Sequence, residues 1–122
     1  MPGKTVLVID DEPDFAKTIM DYLKSAGYDV RVANNLEYAV KIFRQQRPKV
    51  VLLDFNMPIV TGEKFLPILQ ALDPRLKVIV VTGYAAEEVE ERFKGLGCFA
   101  FFEKGNLSLE KLKDKIQEAL SL

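Results

Sequence analysis

Residues 49–62 read KVVLLDFNMPIVTG, and this segment is the strongest indication of the fold class. It opens with a short, continuously apolar run that ends on an acid, Asp54. A strand without alternating polar residues is covered on both faces, which is typical of a parallel sheet with helices on either side. Because burying a carboxylate is costly, an acid at the end of such a run indicates a functional residue. We therefore interpret Asp54 as a candidate site residue at the end of a central strand.

Three other apolar runs end on polar side chains in the same way. They read TVLVIDD (5–11), KVIVVT (77–82) and CFAFFEK (98–104), and they end on an acid pair, a hydroxyl and an amine. Together with the run that ends on Asp54 and one further run, they predict five strands: Thr5–Ile9, Asp29–Ala33, Val50–Asp54, Val78–Val81 and Phe99–Phe102. In the last strand, alternation predicts that Phe99 and Phe101 share one side, opposite Ala100 and Phe102.

Amphipathic stretches with helical spacing separate these strands. The clearest apolar stripes are Phe15, Ile19, Leu23 and Ala26, then Leu36, Ala39, Val40 and Phe43, and finally Leu109, Leu112, Ile116 and Leu120. The fourth predicted helix has only a thin stripe of Val89, Phe93 and Leu96. The pattern predicts an α/β fold in one domain, residues 1–122. Its single five-stranded parallel sheet has the order 2-1-3-4-5 and helices on both faces, a flavodoxin-like doubly wound arrangement.

In that strand order the first and third strands are neighbours, so a crevice opens where Asp10-Asp11 meet Asp54. All strands run the same way, so Thr82 and Lys104 lie on the same edge. The acids would carry about −3 there against +1 from Lys104, and like charges near 4 Å repel by roughly 4 kcal/mol at an effective dielectric of 20. Such a site favours a divalent cation, and hard oxygen ligands select Mg²⁺. A carboxylate beside a metal and an ammonium is a competent nucleophile for a phosphoryl group.

The bulk composition excludes several classes of function. The 122 residues carry a net charge of −1, so direct binding of nucleic acid is not expected. No run has membrane-spanning length and the start does not resemble a signal peptide, which predicts a cytoplasmic protein. The lone cysteine, Cys98, is interpreted as a core residue. The chain has no histidine, which excludes a Ser-His-Asp triad and histidine metal ligands, and any phosphohistidine must belong to a partner.

These motifs resemble the receiver domain of two-component response regulators, in particular a stand-alone, chemotaxis-type receiver. The resemblance covers nearly the whole chain and rests on Asp10-Asp11, on the motif from Asp54 to Gly62, on Thr82-Gly83 and on Phe101-Phe-Glu-Lys104. It implies a phosphorylation-dependent signalling switch in which Asp54 accepts a phosphoryl group from a histidine kinase or a histidine phosphotransfer protein. It also implies a Mg²⁺ ion held by Asp11, Asp54 and the backbone carbonyl of Asn56, with Asp10 acting through water.

The same resemblance assigns the remaining site residues. Lys104 pairs with the phosphoryl group, Thr82 moves toward it, and Phe101 turns inward into the space that Thr82 leaves. Asn56 and Tyr84 are the positions expected to affect the lifetime of the phosphorylated state. The face formed by the fourth helix, the last strand and the last helix is the expected output surface, for a downstream protein or a homodimer.

The chain departs from the family pattern after the lysine and at the switch aromatic. Gly105 stands where receivers usually have a proline, and a non-proline cis bond costs about 3 kcal/mol, so we expect a trans bond with unusual torsions at Gly105. Phe101 replaces the frequent tyrosine, so switching must work through packing. Tyr84 is bulky, and we expect it to hinder the hydrolytic water.

Other interpretations remain open from the sequence. Asp10 and Asp11 could merely cap the first helix. A small aspartate-dependent phosphatase typically has a second acid where this chain has Asn56. A flavodoxin-like electron carrier is disfavoured by the acidic run Asp10-Asp11-Glu12, which would repel a flavin phosphate. A pseudo-receiver that binds partners without phosphorylation is the third alternative.

Overall fold

The computed structural model describes residues 4–57, 61–83, 95 and 97–122, and for Gly62 and Glu63 it describes the backbone alone. The fourth predicted helix, with Val89, Phe93 and Leu96, lies outside the described residues, and so does Tyr84. Among the described residues, no helix has the length and apolar character needed to cross a membrane.

Five parallel strands form one sheet in the order β2-β1-β3-β4-β5. They are β1 (Thr5–Ile9), β2 (Asp29–Ala33), β3 (Val50–Asp54), β4 (Lys77–Thr82) and β5 (Ala100–Glu103). The predicted order and the parallel direction are confirmed. The predicted bounds of β1, β2 and β3 agree with the structure, whereas β4 is longer by a residue at each end and β5 begins and ends one residue later.

The described helices are α1 (Pro13–Ser25), α2 (Leu36–Gln46), α3 (Gly62–Leu72) and the C-terminal helix (Leu109–Leu120), and a short 3₁₀ helix covers Lys104–Asn106. Local chemistry sets several of their ends. The side chain of Asn35 accepts a hydrogen bond from the Tyr38 N–H at the start of α2, and Ser108 does the same for Lys111 at the start of the C-terminal helix. After α1, Gly27 takes a positive φ of 95°, which favours glycine.

The core has two layers, one on each face of the sheet. Along β1, Leu7 and Ile9 pack on the side of α2 and α3, whereas Val6 and Val8 pack on the side of α1 and the C-terminal helix. The layers are completed by Phe43, Phe65 and Leu69 on one side and by Ile19, Leu23, Leu112 and Ile116 on the other. The continuously apolar strands are thus buried on both faces, as the sequence predicted.

The last strand differs from its prediction in one respect. Phe101 packs against the layer of α2 and α3, and Ala100 and Phe102 pack against the opposite layer. Phe99 packs with Ala100 and Phe102, so the prediction that it shares a side with Phe101 is wrong. The physical reason is that β5 begins only at Ala100, and strand alternation does not extend to the residue before it.

Candidate functional site

The carboxyl ends of the central strands bring three buried polar side chains to one edge of the sheet. Asp10 follows β1, Asp54 ends β3 and Thr82 ends β4, and these residues are 3%, 2% and 0% exposed. Since β3 lies between β1 and β4, Asp54 is at the centre of the group. Polar groups this deeply buried need partners, and the surrounding contacts supply them.

The Lys104 ammonium lies among three carboxylates. Its Nζ is 2.8 Å from Glu12 Oε1, 3.0 Å from Asp10 Oδ2 and 3.4 Å from Asp54 Oδ2. It also lies 4.5 Å from the centroid of the Phe15 ring on α1, within the range of a cation–π contact. Lys104 therefore reaches Asp54 at the position that the sequence predicted, directly after β5.

The other oxygens of the two buried acids are held by backbone N–H groups. Asp10 Oδ1 accepts a hydrogen bond from the Glu12 N–H at 2.8 Å, and Asp54 Oδ1 accepts one from the Asn56 N–H at 3.0 Å. Each carboxylate therefore has one oxygen fixed to the loop that follows its strand and the other turned toward Lys104. The N-cap residue of α1 is Glu12, so the alternative that Asp10 or Asp11 merely caps this helix does not hold.

Burial and charge shift the pKa of Asp54 strongly. The net effect raises this pKa from 3.8 to about 7, mainly through burial, against the lowering effect of the hydrogen bond from Asn56. The charge of Asp10 and a side-chain hydrogen bond with Asp11 also act to raise it, whereas the charge of Lys104 acts to lower it. A carboxyl group that is costly to ionise without a counter-charge is suited to a site that a cation completes.

The pKa of Lys104 moves to about 12. Burial lowers it, but the hydrogen bonds with Glu12 and Asp10 and the charges of Asp10 and Asp54 outweigh that effect. The ammonium is therefore fully charged throughout the physiological pH range. It supplies a permanent positive charge beside Asp54.

A carboxylate oxygen from each of Asp10, Glu12 and Asp54 can be chosen so that the three lie within 4.8 Å of one another. These are hard oxygen donors with a net negative charge even after Lys104 is counted, so their chemistry fits Mg²⁺. The predicted ligand Asp11 is exposed, and its side chain contributes to the raised pKa of Asp54. Glu12 was missed by the sequence reasoning, although the acidic run Asp10-Asp11-Glu12 was a signal for it.

The side chain of Asn56 connects the loop after β3 to the end of β4. Its Oδ1 accepts hydrogen bonds from Thr82 Oγ1 at 3.2 Å and from the Gly83 N–H at 2.9 Å. Sequence reasoning selected Asn56 for its backbone carbonyl and for the lifetime of the phosphorylated state. The contact with Thr82 spans 26 residues of sequence, and no local pattern indicates it.

The segment after Lys104 is regular. The described peptide bonds are all trans, which agrees with the expectation for Lys104–Gly105. Gly105 lies inside the 3₁₀ helix without a positive φ, so the expectation of unusual torsions there is wrong. A Cβ at Gly105 would meet nothing within 4 Å, so Lys104 reaches the acids without special backbone geometry at its neighbour.

A cavity of about 390 Å³ opens beside the acids, between α1 and α2. Asp10 and Asp11 border it, and Ala16, Met20 and Val32 give it an apolar wall. The cavity thus reaches the acid pair after β1 from the side of α1.

Comparison with known proteins decides the family. A family model described as "Response regulator receiver domain" matches residues 6–117. The chain belongs to this receiver family. Receiver domains act in phosphorylation-dependent signalling as phosphoacceptors, they typically bind Mg²⁺, and they interact with histidine kinases or phosphotransfer proteins and with downstream targets. The resemblance inferred from the motifs is confirmed.

Several individual receivers are similar over most of their length. Sporulation initiation phosphotransferase F of Bacillus subtilis is 26% identical over 122 residues, which cover 100% of this chain and 98% of that protein. The polar-differentiation response regulator DivK of Brucella anthropi is 33% identical over 104 residues, or 83% of this chain and 84% of that protein. A CheY-like receiver domain protein from Methanospirillum hungatei has a crystal structure that matches with a TM-score of 0.87 and 27% identity, covering 97% of this chain and 94% of that one.

Other relatives are longer than this chain. The regulatory protein AtoC of Escherichia coli is 33% identical over 118 residues, which are 96% of this chain but 25% of that protein. A mycobacterial regulator, TcrX, is 38% identical over 92 residues, 75% of this chain and 38% of its own length. The receiver is therefore a unit that occurs both alone and as part of larger regulators.

Proposed function

We propose that this receiver is a Mg²⁺-dependent switch, residues 1–122, that accepts a phosphoryl group on Asp54 from a histidine kinase or a histidine phosphotransfer protein. One observation carries the proposal: the buried Asp54 has one oxygen held by the Asn56 N–H and the other turned toward Lys104 among further acids. The carboxylate is thereby oriented, and a cation is already in place for the charge that arrives.

Attack by an Asp54 oxygen on phosphorus forms an acyl phosphate. The bond from phosphorus to the donor nitrogen breaks, and the donor imidazole keeps the electron pair and takes up a proton. Such a transfer depends on positioning and charge neutralisation more than on acid–base groups. The Asn56 N–H orients the nucleophile, and the Lys104 ammonium moves from its acid partners to the phosphoryl oxygens.

The proposed metal ligands are Asp11, Asp54 and the backbone carbonyl of Asn56, with Asp10 acting through water. The close approach of Glu12 adds a fifth residue to this set. Bound Mg²⁺ would neutralise charge on the acids and on the phosphoryl oxygens. Within the chain, the role of these residues is to hold carboxylate and carbonyl oxygens at one edge of the sheet.

The proposed conformational change that transmits the signal starts at Thr82 and Phe101. Thr82 is buried at the end of β4, and Phe101 is half-buried on β5 against the layer of α2 and α3. Movement of the hydroxyl toward the phosphoryl group would open space that the Phe101 ring can fill. The partner surface is then the face that includes β5 and the C-terminal helix, for a downstream protein or a second copy, and the proposed location is the cytoplasm.

The lifetime of the phosphorylated state is assigned to Asn56 and Tyr84. Tyr84 lies outside the described residues, and its assignment rests on its place two residues after Thr82. Replacing Tyr84 by Ala should speed phosphate loss, because a bulky ring would otherwise hinder the attacking water. An unchanged rate of hydrolysis would remove Tyr84 from the proposal.

Acetyl phosphate with Mg²⁺ tests the proposal directly. Intact-protein mass spectrometry should find one added phosphoryl group in the wild type and none in Asp54→Asn or with EDTA present. No Mg²⁺-dependent addition at Asp54 would support a pseudo-receiver that binds partners without phosphorylation. Rapid multiple-turnover release of phosphate would instead support the aspartate-dependent phosphatase alternative.

A further inference from the structure

The side chain of Asn56 accepts a hydrogen bond from Thr82, a residue that the proposed switch requires to move. Thr82 is fully buried, and its hydroxyl donates to Asn56 Oδ1 at 3.2 Å. In the proposed switch, that same hydroxyl must turn toward a phosphoryl group on Asp54. The Asn56 oxygen therefore competes with the phosphoryl oxygens for one proton donor.

The orientation of the Asn56 amide is determined by chemistry. The backbone N–H of Gly83 can only donate, and it lies 2.9 Å from the Asn56 side chain, so the atom facing it must be the oxygen. This oxygen accepts from Gly83 and Thr82 together, and it therefore attaches the end of β4 to the loop after β3. A Cβ at Gly83 would lie 3.7 Å from Asn56 Oδ1, at ordinary van der Waals distance.

We propose that the side chain of Asn56 is a positioning residue that holds Thr82 in its resting place and so sets the balance between the resting and active arrangements. The inference rests on the proposed function of Asp54 and Thr82 and adds a role that neither of them has. It is separate from the backbone of Asn56, whose N–H bonds to Asp54 and whose carbonyl is a proposed metal ligand. Truncation of the side chain leaves both backbone groups in the chain.

The size of the effect follows from the environment of the two bonds. Gly83 and Asn56 are exposed, so water can replace the bond between them at little net cost. The bond from Thr82 starts from a buried hydroxyl, and losing it weakens the resting arrangement. A net hydrogen bond of this kind changes an equilibrium by about two- to tenfold.

Beryllofluoride with Mg²⁺, a mimic of the phosphoryl group, is the probe for this inference. Its apparent Kd is measured by titration, with the amide signals of Thr82 and Gly83 followed by NMR. We expect Asn56→Ala to bind beryllofluoride about two- to tenfold more tightly than the wild type. We also expect the Thr82 amide signal of the unliganded variant to lie part of the way toward its beryllofluoride-bound position.

Two further variants distinguish positioning from a general structural effect. In the Thr82→Val background the hydroxyl is absent, so Asn56→Ala should leave the apparent Kd unchanged there. Ser25→Ala removes an exposed side chain at the C-terminal end of α1, where its hydroxyl donates to the Tyr22 carbonyl at 2.6 Å, and should leave the wild-type Kd unchanged. An equal gain from Asn56→Ala in both backgrounds would overturn the inference.

The titrations also distinguish a failure of the positioning role of Asn56 from a failure of the phosphoacceptor role of Asp54. If the wild type fails to bind beryllofluoride while Asp54 is intact, the phosphoacceptor proposal fails. If the wild type binds and Asn56→Ala has the same or weaker affinity, only the positioning role fails.

Discussion

The shortest ion pair of Lys104 is with Glu12, at 2.8 Å between Nζ and Oε1, although the two residues are 92 positions apart in sequence. The distance from the same ammonium to Asp54 is longer, at 3.4 Å. Lys104 is thus shared between a rim acid and two buried acids.

Removing the Lys104 ammonium should destabilise the metal-free protein. Lys104→Met leaves Asp10 and Asp54 buried without their ammonium, and we expect a loss of about 2–4 kcal/mol in the free energy of unfolding in EDTA. Mg²⁺ should restore more stability to this variant than to the wild type, because the ion can replace the missing charge. Urea unfolding with EDTA or with Mg²⁺ measures both quantities.

The control for that variant is Lys17→Met. Lys17 forms an exposed pair with Asp21 at 3.1 Å, with side chains 70% and 58% exposed, and its loss should cost less than about 1 kcal/mol. A Lys104→Met variant as stable as this control would contradict the view that Lys104 balances the buried acids.

Glu12 should contribute to metal affinity despite its exposure. One of its carboxylate oxygens lies within 4.8 Å of an oxygen of Asp10 and of an oxygen of Asp54. Glu12→Gln therefore reduces the negative charge at the site. We expect Mg²⁺ to bind about three- to tenfold more weakly, the equivalent of roughly 1 kcal/mol at the partly exposed rim. Asp14→Asn, an exposed change on the first turn of α1, is the matched control, and equal affinities in the two variants would exclude Glu12 from the metal site.

The raised pKa of Asp54 predicts the pH dependence of stability. Because this pKa rises from 3.8 in the unfolded chain to about 7 in the folded one, the native state binds the proton more tightly. The contribution of Asp54 to stability is therefore fully present below about pH 4 and is lost as the pH rises through about 7. In EDTA, Asp54→Asn should be more stable than the wild type at pH 8 by on the order of 1–3 kcal/mol.

The comparison must be made across the pH range. At pH 4 the wild type and Asp54→Asn should approach each other, since the wild-type carboxyl group is then neutral as well. A constant difference between the two proteins from pH 4 to pH 8 would show that Asp54 ionises as easily in the fold as in the unfolded chain. Thermal unfolding monitored by circular dichroism provides the measurement.

Gly105 and Gly27 should respond differently to the same substitution. Gly105 lies in a 3₁₀ helix with open space around it, so Gly105→Ala should change stability by less than about 0.5 kcal/mol and leave Mg²⁺ binding intact. Gly27 has a φ of 95°, and Gly27→Ala should cost about 1–2 kcal/mol. A large loss of metal affinity in Gly105→Ala would mean that the glycine itself positions Lys104.

Local patterns predicted most of the fold. The continuous apolar runs of β1 and β3 indicated strands covered on both faces, and both lie in the two-layered core. The weaker predictions were at β5, where the sequence FAFFE allows a strand to begin at Phe99 or at Ala100. The choice depends on pairing with β4, which starts with Ala100 opposite Ile79.

The candidate site likewise has features that local patterns predicted and contacts that they did not. From the sequence alone, Asp10, Asp54, Thr82 and Lys104 are expected at strand ends, and parallel strands bring their carboxyl ends to one edge whatever the loops do. Which atoms meet at that edge depends on the tertiary structure. The ion pair of Glu12 with Lys104 and the bond of Thr82 to Asn56 join residues far apart in sequence, and their distances depend on how loops from different strands pack. Periodicity reports the local backbone and its burial, whereas contacts of this kind come from the folding of the whole domain.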